Sequence, residues 1–296
     1  MNDQELNRLQ THGKYSTDNA GVAGAAIDIP ICPNIDRKHP TTTLISFYDP
    51  DCIGNRTIAT FVKSKIGHSV NQIYFKDLFP ERYPYTEEEL DLLIHLLKET
   101  RTELIGISLR SSSYTTAETV VNRIRKVLRD TPIIIGGTHA IICAEECFKL
   151  GDMVCVGEGE YPFLELLEGY YEGFEKIKNI QGIWFKDDFF NRNGGGTETF
   201  DKNRPIIENV QSKNVDLNDV PPIDFSDENK WFIENGVISP GDPLTERTVA
   251  EVFSSRGCPY KCSFCLNNVL ERFMHNGDFV RMRTVDLVIQ DIHNLK

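Results

Sequence analysis

The sequence predicts an α/β protein in which a doubly wound parallel sheet is followed by a connector and then by a shorter unit built around a cysteine loop. Three observations predict it. Five short apolar runs alternate with five helical stripes over residues 42–170. Irregular sequence punctuated by Gly and Pro fills 171–247. Three cysteines then fall within eight residues in the segment 248–296. At 296 residues, 40% hydrophobic and 26% charged, the chain has the balance of a globular protein with room for two ordinary domains.

Residues 1–41 are polar, carry Gly21, Gly24, Pro30, Pro33 and Pro40, and hold no sustained period, which predicts a loosely ordered arm. The strands follow at Leu44 to Tyr48, Val70 to Phe75, Leu104 to Leu109, Ile133 to Ile135 and Met153 to Val156. Between them, Ile58, Phe61, Val62 and Ile66 share one helix face, as do Leu90, Leu93, Ile94 and Leu97, and then Val120, Ile124, Val127 and Leu128. A fourth helix is expected over Ala140 to Leu150 and a fifth over Tyr161 to Tyr171. This order is that of a flavodoxin-like, Rossmann-like sheet, whose ligand sits beyond the carboxyl ends of the strands, at the switch point between the first and third.

The loops at that edge are polar and rich in glycine: Asp49, Asp51 and Gly54 after strand one, Ser108 and Arg110 to Thr115 after strand three, Gly136-Gly137-Thr138-His139 after strand four. Together they make a candidate cofactor cradle. Sheets of this kind also bind flavin or receive phosphoryl groups, and Asp49 with Asp51 suits magnesium, so the loops alone leave the ligand open.

In the connector, Gly182 to Lys186, a turn at Gly194-Gly195-Gly196 and Thr197 to Phe200 predict a hairpin, and Pro221-Pro222 a break. Trp184 and Trp231 read as packing anchors. A strand is expected over Thr248 to Ser254 and a helix near Val285 to Leu295. Between them, Cys258, Cys262 and Cys265 have the spacing CxxxCxxC, short enough for one loop to turn three sulfurs toward one centre. Thiolates suit an iron-sulfur cluster, and three of them leave one iron of a four-iron cubane without a protein ligand. Zinc is the rival, with His275 as the nearest fourth ligand, and three buried structural cysteines are the plain alternative. His139, Cys143 and Cys147 with Cys155 make a weaker metal candidate for want of a convincing fourth ligand; His139 reads instead as a loop or cofactor contact, and Cys32 and Cys52 carry no assigned role.

The formal net charge of −12, with no cluster of Lys and Arg, argues against nucleic acid or an anionic membrane as partner. No stretch has the length and apolarity of a signal peptide or a membrane span, and eight cysteines without a secretion signal predict reduced thiols, hence a cytoplasmic protein.

The cysteine loop resembles the signature of the radical S-adenosylmethionine family, in which the residue before the third cysteine is usually aromatic, as Phe264 is. The resemblance implies that Cys258, Cys262 and Cys265 ligate a 4Fe-4S cluster, that the methionine part of S-adenosylmethionine binds the fourth iron, and that Phe264 lies beside the adenine. It further implies reductive cleavage of that cofactor to methionine and a 5'-deoxyadenosyl radical.

Residues 42–170 are similar to the cobalamin-binding domain that precedes the radical barrel in one branch of the family. Asp49, Asp51, Gly54, Ser108, Ser111, Ser112, Gly136, Gly137, Thr138, Gly157 and Glu158 would then face the corrin or its tail. Cobalamin modules with a histidine beneath cobalt carry DxHxxG; here the pattern is DxDxxG, with Asp51 in place of the histidine, so cobalt would lack a protein imidazole. The implied function is a cobalamin-dependent radical enzyme, for methyl transfer or for radical rearrangement or cyclisation of a small-molecule or peptide substrate, reduced by an external donor such as flavodoxin or ferredoxin. The alternative is a cobalamin-binding module without radical catalysis. Only 31 residues follow Cys265, where a parallel barrel needs roughly 200, so the sequence is expected to end in the first β/α unit of a truncated radical barrel.

Overall fold

The structure is a computed structural model, described over residues 38–76, 84–186, 206–245, 251–274 and 276–295. Its centre is a parallel sheet formed by β1 (Thr42–Phe47), β2 (Asn71–Phe75), β3 (Leu104–Ser108), β4 (Ile133–Gly136) and β5 (Met153–Cys155). These stand in the order β2-β1-β3-β4-β5, as the alternation of runs and stripes predicts. β1 is buried at every position, because helices cover both of its faces. Leu44 lies opposite Gly106 on β3, and its Cδ2 fills the space where a Cβ on that glycine would stand.

The covering helices are α1 (Ile53–Ile66), α2 (Glu87–Glu99) and α3 (Tyr114–Val127), then the short α4 (Thr138–Ile142) and α5 (Ala144–Cys147), and α6 (Glu160–Gly169). α1 packs with α6, and α2 with α3. The start of α2 is a capping box: Thr86 Oγ1 accepts from the Glu89 N–H at 3.2 Å while Glu89 Oε2 accepts from the Thr86 N–H at 2.9 Å. The helix expected over Ala140 to Leu150 is instead two pieces. Cys143, at φ −137° and ψ 49°, leaves the helical region between them. The fifth helix ends at Gly169 and tightens into a 3₁₀ turn at Tyr170–Glu172.

The segment after α6, which begins with α7 (Phe174–Ile177), extends the same sheet at both edges. β6 (Ile183–Lys186) runs antiparallel to β5, and β7 (Ile206–Ile207) antiparallel to β6. The turn at Gly194–Gly196 and the strand expected at Thr197 to Phe200 lie outside the described residues. At the far edge, β8 (Lys230–Glu234) runs parallel to β2 and β9 (Val237–Pro240) returns antiparallel, completing an order of β7-β6-β5-β4-β3-β1-β2-β8-β9. Trp231 is buried in β8, and Trp184 in β6 donates from Nε1 to the Asn209 carbonyl at 3.0 Å, so both tryptophans anchor packing.

Of the strand expected over Thr248 to Ser254, residues 248–250 lie outside the description and 251–254 pair with no other strand among the described residues. The strand present is β10 (Ser255–Arg256), which pairs antiparallel with β11 (Arg281–Met282). α8 (Leu266–Phe273) follows the cysteine loop and packs against α4, and α9 (Val285–Asn294) closes the described chain. No helix among the described residues is long and apolar enough to cross a membrane.

Candidate cofactor site

The loop after β1 is built by its own side chains. Asp49 Oδ1 accepts the Cys52 N–H at 3.1 Å, and its Oδ2 lies 3.6 Å from Arg110 Nη2 on the loop after β3. Tyr48 at φ 50° and Cys52 at φ 20° hold conformations that side-chain-bearing residues rarely adopt, so the loop is backbone-strained at two points. Asp51 sets its carbonyl against the Arg56 guanidinium, which donates from Nε at 2.7 Å. Cys52 is buried at the start of α1, and burial, followed by the Asp49 charge, pushes its thiol up to about 11. It is a structural thiol.

Ser108 ends β3 opposite Gly136, and Ser111 and Ser112 stand exposed on the next turn. The Ser111 hydroxyl is 2.9 Å from His139 Nδ1, which joins the loops after β3 and β4. Gly54 is exposed, and a Cβ there would meet nothing within 4 Å. Gly136 has only an ordinary contact with Cys155, and Thr138 opens α4.

Gly137 is different. Its φ is +91°, and a Cβ would lie 2.7 Å from the Leu109 carbonyl oxygen and 2.8 Å from the Leu109 nitrogen. The fold itself therefore requires this glycine, whatever the ligand. Gly137→Ala should cost about 2–3 kcal/mol from the strained φ and the backbone contact. Gly54→Ala, at an exposed helical position, should leave stability unchanged or raise it by up to about 1 kcal/mol. Urea unfolding of the two variants checks the contrast; equal midpoints would sink it.

Glu158, grouped by sequence with the cradle, is occupied by the chain itself. Its carboxylate accepts from Arg281 Nη2 at 2.6 Å and Nη1 at 2.8 Å, and from the Val215 N–H at 2.8 Å, and it pairs with Arg256 Nη1 at 3.1 Å. Arg256 also donates to Glu160 Oε1 at 2.5 Å. The loop after β5 thus grips β10 and β11, the two short strands that frame the cysteine loop. Gly157 adjoins Gln211, whose amide nitrogen and oxygen are both buried without a hydrogen-bond partner. Sequence reasoning missed Gln211, because only the pairing of β6 with β7 brings residues 209–214 beside the β5 edge.

Cys258 and Cys265 are half-buried and Cys262 is exposed; all three are free thiols. The Cys265 N–H donates to the Cys262 carbonyl at 3.1 Å, and Cys265 occupies the N-cap of α8. Gly257, at φ +80°, lets the loop leave β10 against the Phe279 carbonyl, with 2.1 Å between that oxygen and the place of a Cβ. Phe264 is 91% exposed. The three sulfurs are not drawn within 4.8 Å of one another. A mononuclear zinc site would hold its thiolates roughly 3.8 Å apart, from Zn–S bonds of about 2.3 Å in a tetrahedron. His275 and Cys32 lie outside the described residues. Cys147 and Cys155 are buried, and burial foremost pushes each thiol up to about 12, which suits small core side chains.

Residues 46–167, which hold this parallel sheet and its loops, match the family model of the B12 binding domain. Beyond that domain the likeness extends over most of the chain. The structure of the cobalamin-dependent S-adenosylmethionine radical enzyme OxsB with aqua-cobalamin bound superposes with a TM-score of 0.60 at 18% identity, covering 87% of this chain and 32% of that one. Apo, selenomethionine-labelled OxsB superposes at 0.59 and 17% identity over the same shares. The uncharacterized methyltransferase PH0819 of Pyrococcus horikoshii is 27% identical over 201 residues, 67% of this chain and 37% of that protein. The chain therefore spans about a third of the length of the proteins it resembles.

Proposed function

We propose that this chain binds cobalamin on the loops after β1, β3, β4 and β5 and a 4Fe-4S cluster on Cys258, Cys262 and Cys265, as the front part of a cytoplasmic cobalamin-dependent radical S-adenosylmethionine enzyme that transfers a methyl group. When bound, the cluster supplies the electron that cleaves S-adenosylmethionine, and cobalamin carries the methyl group. The chain's own residues bind and orient. The corrin rim is studded with amides, and the exposed hydroxyls of Ser111 and Ser112, the open space over Gly54 and the unpartnered Gln211 amide beside Gly157 suit it.

The observation that carries the reading is the Glu158 and Glu160 grip on Arg256, two residues before Cys258. It tethers a three-thiol loop to the edge of the sheet that matches the B12 binding domain. Cys258, Cys262 and Cys265, none of them fully buried, would hold the cluster where a cofactor can reach it, and the exposed Phe264 would be free to meet an adenine. An external donor of the flavodoxin or ferredoxin kind would reduce the cluster.

Anaerobic reconstitution with iron, sulfide and hydroxocobalamin, followed by desalting, a visible spectrum and metal analysis, tests both cofactors. The expected result is corrin bands with about four irons per chain. Cys262→Ala should lose the iron and keep the corrin, whereas Gly54→Trp should lose the corrin, keep the iron and unfold like the parent chain. Iron unchanged in Cys262→Ala, or zinc retained in place of iron, would overturn the cluster. Corrin retained in Gly54→Trp would overturn the cradle, and corrin without iron would leave a cobalamin-binding module.

A further inference from the structure

Independently of that reading, we propose that His139, Cys143 and Glu146 form a metal centre for a zinc-class divalent cation at the start of α4 and α5. Among the described residues they are the one group of three or more His, Cys, Asp or Glu side chains whose ligand atoms all lie within 4.8 Å of one another. A nitrogen, a sulfur and a carboxylate oxygen are the donor types that borderline cations take together, and three protein ligands leave a fourth position for water.

The second observation is the state of His139. The residue is 5% exposed, and its Nε2 is buried with no hydrogen-bond donor or acceptor in reach. The nearest charged atom is Glu146 Oε2 at 3.6 Å, longer than a hydrogen bond. Two donors at about 2.0–2.1 Å from a tetrahedral zinc stand roughly 3.3 Å apart, so this separation suits two ligands of one ion better than a direct bond between them. The other ring nitrogen is already committed, since Nδ1 is 2.9 Å from the Ser111 hydroxyl. A histidine that ligates a metal through one nitrogen usually donates from the other, which fixes its tautomer and ring plane.

Charge agrees with this assignment. A Cys143 thiolate and the Glu146 carboxylate together neutralise a divalent cation, so the half-buried site carries no net charge when filled. Lys149 Nζ lies 3.3 Å from Glu146 Oε1, which leaves Oε2 for the metal. Tyr114 stacks at a tilt with its ring centroid 5.3 Å from that of His139, and its buried hydroxyl also lacks a hydrogen-bond partner. Cys143 and Glu146 are only half-buried, which gives an ion a way in. His139, Cys143 and Glu146 stand at i, i+4 and i+7, a spacing that puts them on one helical face, and their donors stay together across the break at Cys143.

Cobalt(II) is the probe, since it follows zinc in geometry and its bond to a thiolate gives a charge-transfer band in the near ultraviolet. The full chain with Cys258, Cys262 and Cys265 changed to Ala removes the competing thiols. It should take up one cobalt with that band and release it stoichiometrically to zinc. Cys143→Ser, a near-isosteric change at a half-buried position, should abolish the band, and Glu146→Gln should weaken binding. Ser111→Ala, which touches no metal, should weaken it about 10–100-fold, as loss of a ligand's supporting hydrogen bond does. No cobalt retained by the parent chain, or a band unchanged in Cys143→Ser, would overturn the site.

Discussion

Replacing Asp242 by alanine is expected to remove about 3–5 kcal/mol of stability, a large part of what holds an ordinary domain folded. Asp242 lies just beyond β9 with its side chain fully buried, and it faces two fully buried cations. Arg56 of α1 grips it with both terminal nitrogens, Nη2 donating to Oδ1 at 2.8 Å, and Lys230 of β8 donates to Oδ2 at 3.0 Å. Arg56 also lies over the Tyr74 ring at 4.5 Å, while Lys230 donates to the Asp224 and Ser226 carbonyls. Without the carboxylate, two buried positive charges would face each other, with carbonyls, the Tyr74 ring and the more distant Asp224 charge as their remaining partners.

The loss would also reach the candidate cofactor loop, since Arg56 donates to the carbonyls of Pro50 and Asp51. Urea unfolding should show a lower midpoint with an unchanged slope, and cobalamin should bind more weakly in the fraction that stays folded. Asp242→Asn keeps the shape and removes the charge, so it should lose most of the same stability. A midpoint for Asp242→Asn close to that of the parent chain would show that shape rather than charge holds the site.

Glu158→Ala should loosen the cysteine loop from the sheet and leave the sheet itself intact. The carboxylate is 9% exposed and its partners Arg256 and Arg281 are 21% and 13% exposed. The expected cost is therefore about 2–3 kcal/mol, between the value for an exposed pair and that for a buried one. Hydrogen exchange should quicken over 254–295 while the amides of β1, β3 and β4 keep their protection. Equal loss across both regions would mean that the contact is not a joint.

This joint should respond to acid. Burial pushes the Glu158 carboxyl up, but the Arg281 hydrogen bonds and the Arg256 and Arg281 charges outweigh it and hold the group below its ordinary 4.5. A carboxyl whose folded value is depressed stabilises fully above its unfolded value and loses that contribution as pH falls through the folded one. Protection of 254–295 should therefore fall below about pH 4.5, the ordinary value of the group. Glu158→Gln should flatten the part of that fall that comes from this carboxyl.

The central sheet was legible because its signals are local: Leu44 to Tyr48, Leu104 to Leu109 and Ile133 to Ile135 are apolar runs too short for helices, set between stripes of helical period. The polar loops at the carboxyl edge followed from that order, as did the cysteine spacing from the sequence itself. Of the additional strands, β6 was legible as the first arm of the expected hairpin, Gly182 to Lys186, whereas β7, β8 and β9 were not. Ile206–Ile207 is too short to carry a period, and nothing within Lys230–Glu234 says that it will lie beside β2.

The roles of single residues divided in the same way. Gly137 and Gly54 look alike in the sequence, yet one meets the Leu109 backbone and the other meets open space, a difference set by the chain packed around each. Glu158 reads as a loop acid until Arg256 and Arg281 arrive from about a hundred residues away. By itself, the sequence determined the sheet class and the two groups of candidate cofactor residues, because periodicity and close spacing act over a few residues. Although His139, Cys143 and Glu146 stand close in the sequence at helical spacing, only the tertiary structure decided which of the candidate residues face outward and which are held by distant ion pairs, because burial and charge pairing depend on segments far apart in the chain.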